Sequence, residues 1–195
     1  MRYGRACFIP GLVAALLGGC ASPPTSFYTL SPDASLTRSG TTRPVSMVIG
    51  PVTIPDIVDR PQIVTRVDAN EVEINEFARW AQSLKGGIAR VIAADLGALL
   101  NSQQVSVFEG WDDPLTTWRV RLDVVNFESV PGRDVTVDVQ WAVRPPGKTR
   151  PVLGHSVAHE VISGPGYEPI VAAHDRALAS VSRDIAAVVL ASGPQ

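Results

Sequence analysis

The chain has 195 residues, 45% hydrophobic and 18% charged, with 17 basic against 19 acidic side chains and a formal net charge of −2. That length suits one domain with a substantial core, and the absence of any basic run argues against a nucleic-acid partner. Both cysteines fall within the first 20 residues, so the remainder excludes a disulfide-stapled fold and cysteine-based metal or nucleophile chemistry.

The chain opens MRYGRACFIPGLVAALLGGC. Arg2 and Arg5 form a basic start, Ala6 to Leu17 is mostly apolar, and Gly18 and Gly19 are small. The order is that of a secretory signal. The apolar run is well short of the ~20 residues that span a bilayer, and SPPTS (22–26) carries no stop-transfer pattern. Leu17-Gly18-Gly19-Cys20 resembles the lipobox of bacterial lipoproteins, although Gly18 is less usual there than Ala or Ser. The resemblance implies that Cys20 is acylated and becomes the first residue of the mature chain. Two or more acyl chains, at ~0.8 kcal/mol per buried CH₂, hold a domain durably on a membrane where one does not. Ala21 rather than Asp follows the cysteine, which by analogy with enterobacterial lipoproteins favours the outer membrane. The predicted organisation is a signal peptide over 1–19, a lipidated cysteine and tether over 20–26, and a single periplasmic domain over 27–192. Without the two signal arginines, 15 basic residues face 19 acidic ones, a balance of −4.

ASPPTS (21–26) reads as a polyproline-like tether of about 20 Å. FYTL (27–30) is a first strand, the polar stretch 31–44 a loop, and VSMVIGPV (45–52) a buried strand. QIVTRV and EVEINEF form a hairpin turning at Asp68-Ala69-Asn70. Leu84, Ile88, Val91, Ile92, Leu96 and Leu99 recur at helical spacing, with Gly86-Gly87 weakening the helix start. QVSVF (104–108) is a short strand. WRVRLDVVNFESV and DVTVDVQWAVR make a long hairpin over Pro131-Gly132. The second arm alternates cleanly, while the first slips at Val124-Val125, which predicts a bulge. VLGHSVAHEVI is a third long strand, and Ile170 through Val189 mark a C-terminal amphipathic helix. The predicted fold is α/β: a mixed, largely antiparallel sheet with two amphipathic helices packed on one side, as a two-layer or three-layer sandwich.

Candidate chemistry is sparse. GHSVA (154–158) resembles a lipase nucleophile elbow only partly, since Ala158 replaces the final glycine and strand pattern continues past it. His155 and His159 would face one way on a strand, but ~13 Å apart, too far for one metal ion. His174 falls on the apolar face of the last helix and reads as a hydrogen-bonded boundary residue. Trp80 is open between exposed anchor and core packing, with core the stronger reading. Trp111, in the loop GWDDP, is the better candidate for exposure.

IPDIVDRPQIVTR (54–66) holds Asp59-Arg60 between two prolines. No nucleophile, oxyanion hole or phosphate cradle accompanies the pair, so catalysis has no support. Pro55 and Pro61 remove backbone donors and hold their predecessors extended, which predicts a stiff segment on a sheet edge or rim. Asp59 and Arg60 can satisfy each other and nearby backbone. A fold clasp and a docking surface both remain open. The docking candidates are Pro55, Asp56, Asp59, Arg60, Pro61, Arg66, Trp80 and Trp111.

The lipobox followed by FYTLSP (27–32), IGPVTIPDIVDRPQIVTR (49–66) and EINEFARWAQSL (73–84) closely resembles the PqiC family. These are auxiliary lipoproteins of ABC-type or Mce-type (mammalian-cell-entry) transport systems. The likeness covers essentially the whole mature chain and departs at Gln82-Ser83, where the family usually has Glu-Pro. It implies a non-catalytic lipoprotein without cofactor, on the periplasmic side of the outer membrane. Its implied partner is an Mce-domain membrane protein that moves lipids across the envelope, with membrane integrity as the wider role. A homo-oligomer is compatible with this. A stand-alone structural lipoprotein and an envelope esterase using Ser156 are the competing readings.

Overall fold

The computed structural model describes residues 23–36, 45–107 and 113–192. The predicted signal peptide, Cys20 and Trp111 lie outside them. In chain order the described elements are β1 (Ser26–Tyr28), β2 (Ser46–Thr53), β3 (Gln62–Asp68), β4 (Glu71–Trp80), α1 (Leu84–Leu99), β5 (Val105–Ser106), β6 (Thr117–Val130), β7 (Asp134–Arg144), β8 (Val152–Val161) and α2 (Tyr167–Ala191). The class is α/β with two amphipathic helices, as the periodicities predict. The strands divide between two sheets, ordered β5-β2-β6-β7-β8 and β1-β4-β3. The long ladders are antiparallel, while β2 runs parallel to β5 and β6, and β1 parallel to β4.

The large sheet follows from alternation. Along β7, Val135, Val137, Val139, Trp141 and Val143 are buried and the residues between them are not, so one face seeks a core. The slip in β6 is a bulge: the ladder passes from Val124 opposite Val139 to Asn126 opposite Asp138, leaving Val125 half exposed. Gly132 closes the hairpin at φ 73°, a conformation glycine adopts without strain. Both helices pack on the inner face, α1 against β2 and β5, α2 against β7 and β8. Ile88, Ile92 and Leu96 of α1 and Leu178, Val181 and Ile185 of α2 share one core with Met47, Val120, Leu122 and Val137. Each such side chain contributes about 1.5–3 kcal/mol by leaving water. The Ser83 hydroxyl accepts from the Gly86 amide at 3.3 Å, a cap that offsets part of what two early glycines cost α1.

The small sheet has β3 on an edge, as prolines at 55 and 61 predict. β4 runs to Trp80, three residues past the expected end, because β1 pairs with Ala78 to Trp80 in parallel. The Trp80 ring is buried, edge-on to Phe127 with centroids 6.4 Å apart. β3 lies beside β6, where Arg66 pairs with Glu128.

Past β1 the chain hooks between the helices. Ser31 donates its amide to Asp175 at 2.9 Å and Asp33 donates its amide to Asp95 at 3.2 Å. Asp95, 1% exposed, also accepts from the Ser182 hydroxyl at 3.2 Å. Burial pushes both helix carboxyls up to about 6, against the hydrogen bonds that hold them down. His174 is hydrogen-bonded as expected, to Ser129 at 2.8 Å. It lies in the core rather than at its boundary, stacked on Phe127 at 3.8 Å. Burial pushes its pKa down to about 3, so the ring is neutral at physiological pH.

Candidate functional site

Ser156 was one candidate for chemistry. It sits inside β8, which continues five residues past it with no helix. Its hydroxyl donates to Asp184 of α2 at 2.6 Å and accepts from the Trp141 indole N–H at 2.9 Å. A serine bonded in both directions and buried is a tie between strand and helix. His155 points to the other face, against Asp138 at 2.7 Å, and His159 meets Thr136 at 2.9 Å. Neither imidazole is hydrogen-bonded to the Ser156 hydroxyl. Ser156→Ala is expected to lower stability by about 1–3 kcal/mol, since it strands the indole N–H and a carboxylate. The melting temperature should fall by roughly 2–4 °C per kcal/mol. An unchanged melting curve would show that the tie contributes nothing.

The stretch between β2 and β3 is not extended. Val58 donates its amide to the Pro55 carbonyl at 3.0 Å, Asp59 to Asp56 at 3.3 Å and Arg60 to Val58 at 2.9 Å. The prolines restrict only themselves and their predecessors, Ile54 and Arg60; the residues between are free to coil into successive turns. Ile54 and Val58 are buried there, while Ile57 is exposed. Asp59 does not pair with Arg60. Its carboxylate takes the Lys85 ammonium at 2.6 Å, in the first turn of α1. A cation is unfavourable at a helix N-terminus, and Asp59 offsets it; exposed pairs of this kind contribute ~0–1 kcal/mol. The Pro61 carbonyl accepts from the Trp80 amide at 2.7 Å.

Asp59, Arg60, Pro61, Trp80, Gln82 and Ser83 thus come to line one cleft of about 360 Å³, between the turn and the entry to α1. The DRP and RWA blocks, some 20 residues apart in sequence, form its two walls. The Arg60 Nε is enclosed there without a hydrogen-bond partner among the described residues. Pro55 and Asp56 adjoin the cleft through the turn. Arg66 stands apart on Glu128, and the Trp80 ring faces the core with only 7% exposed. Sequence reasoning missed Lys85, whose signal was a lone cation in the first helical turn. The lining offers a carboxylate already paired with Lys85, a guanidinium, an amide and a hydroxyl already capping α1, which suits recognition rather than bond making. Among the described residues no cluster of side chains is placed to hold a metal ion, and no helix is long and apolar enough to cross a membrane.

A family model described as ABC-type transport auxiliary lipoprotein component matches residues 28–186. No curated protein matches the chain. Among solved structures, the crystal structure of an uncharacterized protein superposes with a TM-score of 0.70 at 16% identity, covering 86% of this chain and 99% of the other. Protein XCC0632 from Xanthomonas campestris superposes with a TM-score of 0.66 at 16% identity, covering 87% and 97%. At those identities the two structures speak for the fold alone.

Proposed function

The chain belongs to the ABC-type transport auxiliary lipoprotein component family, and from that premise we propose that it is a non-catalytic docking subunit of a trans-envelope lipid transporter. In this reading Cys20 is acylated and anchors the domain on the periplasmic face of the outer membrane. An Mce-domain membrane protein is the partner, and several copies assemble on it. The observation that carries the reading is the cleft: two sequence blocks meet in space around Arg60, whose Nε is enclosed, next to exposed Asp56 and Ile57. An arginine with an apolar neighbour on a rigid turn is a combination that anchors interfaces, and a turn already fixed by its own hydrogen bonds loses little freedom on docking.

Affinity purification of the tagged, lipidated chain from mildly solubilised envelopes tests this, beside a variant carrying Asp59→Ala and Arg60→Ala. The expected result is an Mce-domain protein recovered with the wild type and reduced at least about tenfold with the variant, as loss of one anchoring residue predicts. The variant should stay folded, because the ion pair it removes is exposed. Full recovery with the variant would make the turn a fold clasp. No such partner with either would leave a stand-alone envelope lipoprotein.

A further inference from the structure

The outer face of the large sheet, away from both helices, carries a second cavity of about 370 Å³. Its lining is Arg119 and Arg121 from β6, Arg144 and Ala142 from β7, Val48 with Gly50-Pro51 from β2, and Thr149 and Pro151 from the β7–β8 loop. Three guanidinium side chains line it, and none of the lining residues is acidic.

The register brings these cations together. Arg119 stands directly opposite Arg144 in the ladder, and Arg121 opposite Ala142. Successive outward positions on β6 therefore give Arg119 and Arg121 one face. A third arginine, Arg121, adjoins the pair. The small Ala142 opposite Arg121 leaves the hollow. Val48, in line with Arg119 across the parallel ladder, forms an apolar part of its lining. The overhanging loop adds Lys148 and Arg150 beside Thr149. All this occurs in a chain whose overall charge is negative.

The hollow continues along the sheet. Arg121 and Ala142 also line an adjoining depression, together with Asp123, Gln140 and Leu153. Asp123, a carboxylate on this face, takes the Thr53 hydroxyl, and Asp138, outward on β7, is hydrogen-bonded to His155. Leu153 is 75% exposed, with Val157 and Val161 exposed beyond it on β8. Cations over an apolar floor thus lead to a strand on which exposed Leu153, Val157 and Val161 alternate with His155 and His159.

We propose that this cavity binds a phosphate-type anion, of the kind borne by an anionic phospholipid head group. The planar, fixed fork of arginine matches phosphate oxygens in a bidentate fashion. A hydroxyl at Thr149 supplies a neutral donor. The exposed Leu153 lies where the glycerol and first methylenes of a lipid would emerge. This surface is separate from the cleft at Asp59–Arg60, so the inference stands whether or not that cleft docks a protein.

The test is calorimetric titration of the full lipidated chain in neutral maltoside micelles with dihexanoyl-phosphatidylglycerol, dihexanoyl-phosphatidylcholine and inorganic phosphate. Three proteins are compared: wild type, Arg121→Gln, and Arg119→Gln with Arg144→Gln. Arg121 is exposed, so its variant keeps the fold; a melting curve checks the double variant. The expected result is saturable binding of the anionic lipid, about tenfold weaker for each arginine lost and weaker in added salt. Inorganic phosphate binding as tightly as the lipid, and equally sensitive to the variants, also bears the site out and names free phosphate as its source. Equal binding of both lipids in all three proteins, or no binding of either anion, overturns the proposal.

Discussion

Gly154→Ala is expected to destabilise the protein by about 2–3 kcal/mol, the upper part of the range for overpacking a core. A methyl group on Gly154 would lie 2.1 Å from Cη2 and Cζ2 of Trp141 and 2.6 Å from Cε2. Gly154 is the residue directly opposite Trp141 in the β7–β8 ladder, so the ring lies over its backbone. The ring cannot swing aside cheaply. It is 7% exposed, and its N–H is bonded to Ser156, which in turn holds Asp184. Moving the indole therefore loosens α2 from the sheet. Thermal denaturation should show a fall of roughly 4–12 °C. Combining Gly154→Ala with Trp141→Phe should be far less than additive, because the smaller ring leaves room for the methyl. A near-wild-type melting point for Gly154→Ala alone would mean the indole has free space to move into.

Asp95→Asn is expected to stabilise the protein at pH 7.5 and to leave it nearly unchanged at pH 4. The folded-state pKa of Asp95 is raised from 3.8 to about 6, with burial as the largest cause. A raised carboxyl binds its proton more tightly folded than unfolded, so its ionisation opposes folding. That penalty is absent below about 3.8, grows through about 6 and is complete above it, approaching ~3 kcal/mol. Asparagine keeps an oxygen for the Asp33 amide and carries no charge. Its gain should reach about 2–3 kcal/mol in urea denaturation at pH 7.5. His174 has the opposite sign. Its pKa is lowered from 6.5 to about 3 by burial, so stability from its neutral form is lost as pH falls below 6.5. The wild type therefore gains from Asp95 and Asp175 and loses from His174 on mild acidification, and only the first of these gains vanishes in the variant. An equal loss at both pH values would show that the carboxylate is a net stabilising acceptor.

The two helices and the bulge at Val125 were legible because each is written in local periodicity. The division into two sheets was not. β1 meets β4 about 50 residues away in a parallel ladder, and no local pattern encodes a partner at that distance. The prolines at 55 and 61 correctly placed their segment at an edge. They misled about its shape, because proline constrains itself and its predecessor and leaves the residues between free to turn. Asp59 found Lys85 rather than Arg60 because α1 begins beside the turn, a proximity that only the tertiary fold creates. The arginine cavity was closer to being readable. Given the hairpin and its bulge, the pairing of Arg119 with Arg144 follows, but that requires treating the slip in alternation as a shift of register.

The hook after β1 has a mechanical consequence. Tension drawn along the strand from its N-terminal side loads the short β1–β4 ladder in shear, so its bonds must yield together rather than one by one. The next fixed points are the Ser31 and Asp33 amides, held by Asp175 and Asp95 on different helices. A pull that shears β1 away therefore arrives on both helices at once, against the whole sandwich instead of a single edge. Three residues of strand and two carboxylates make the N-terminal end of this domain a strain relief.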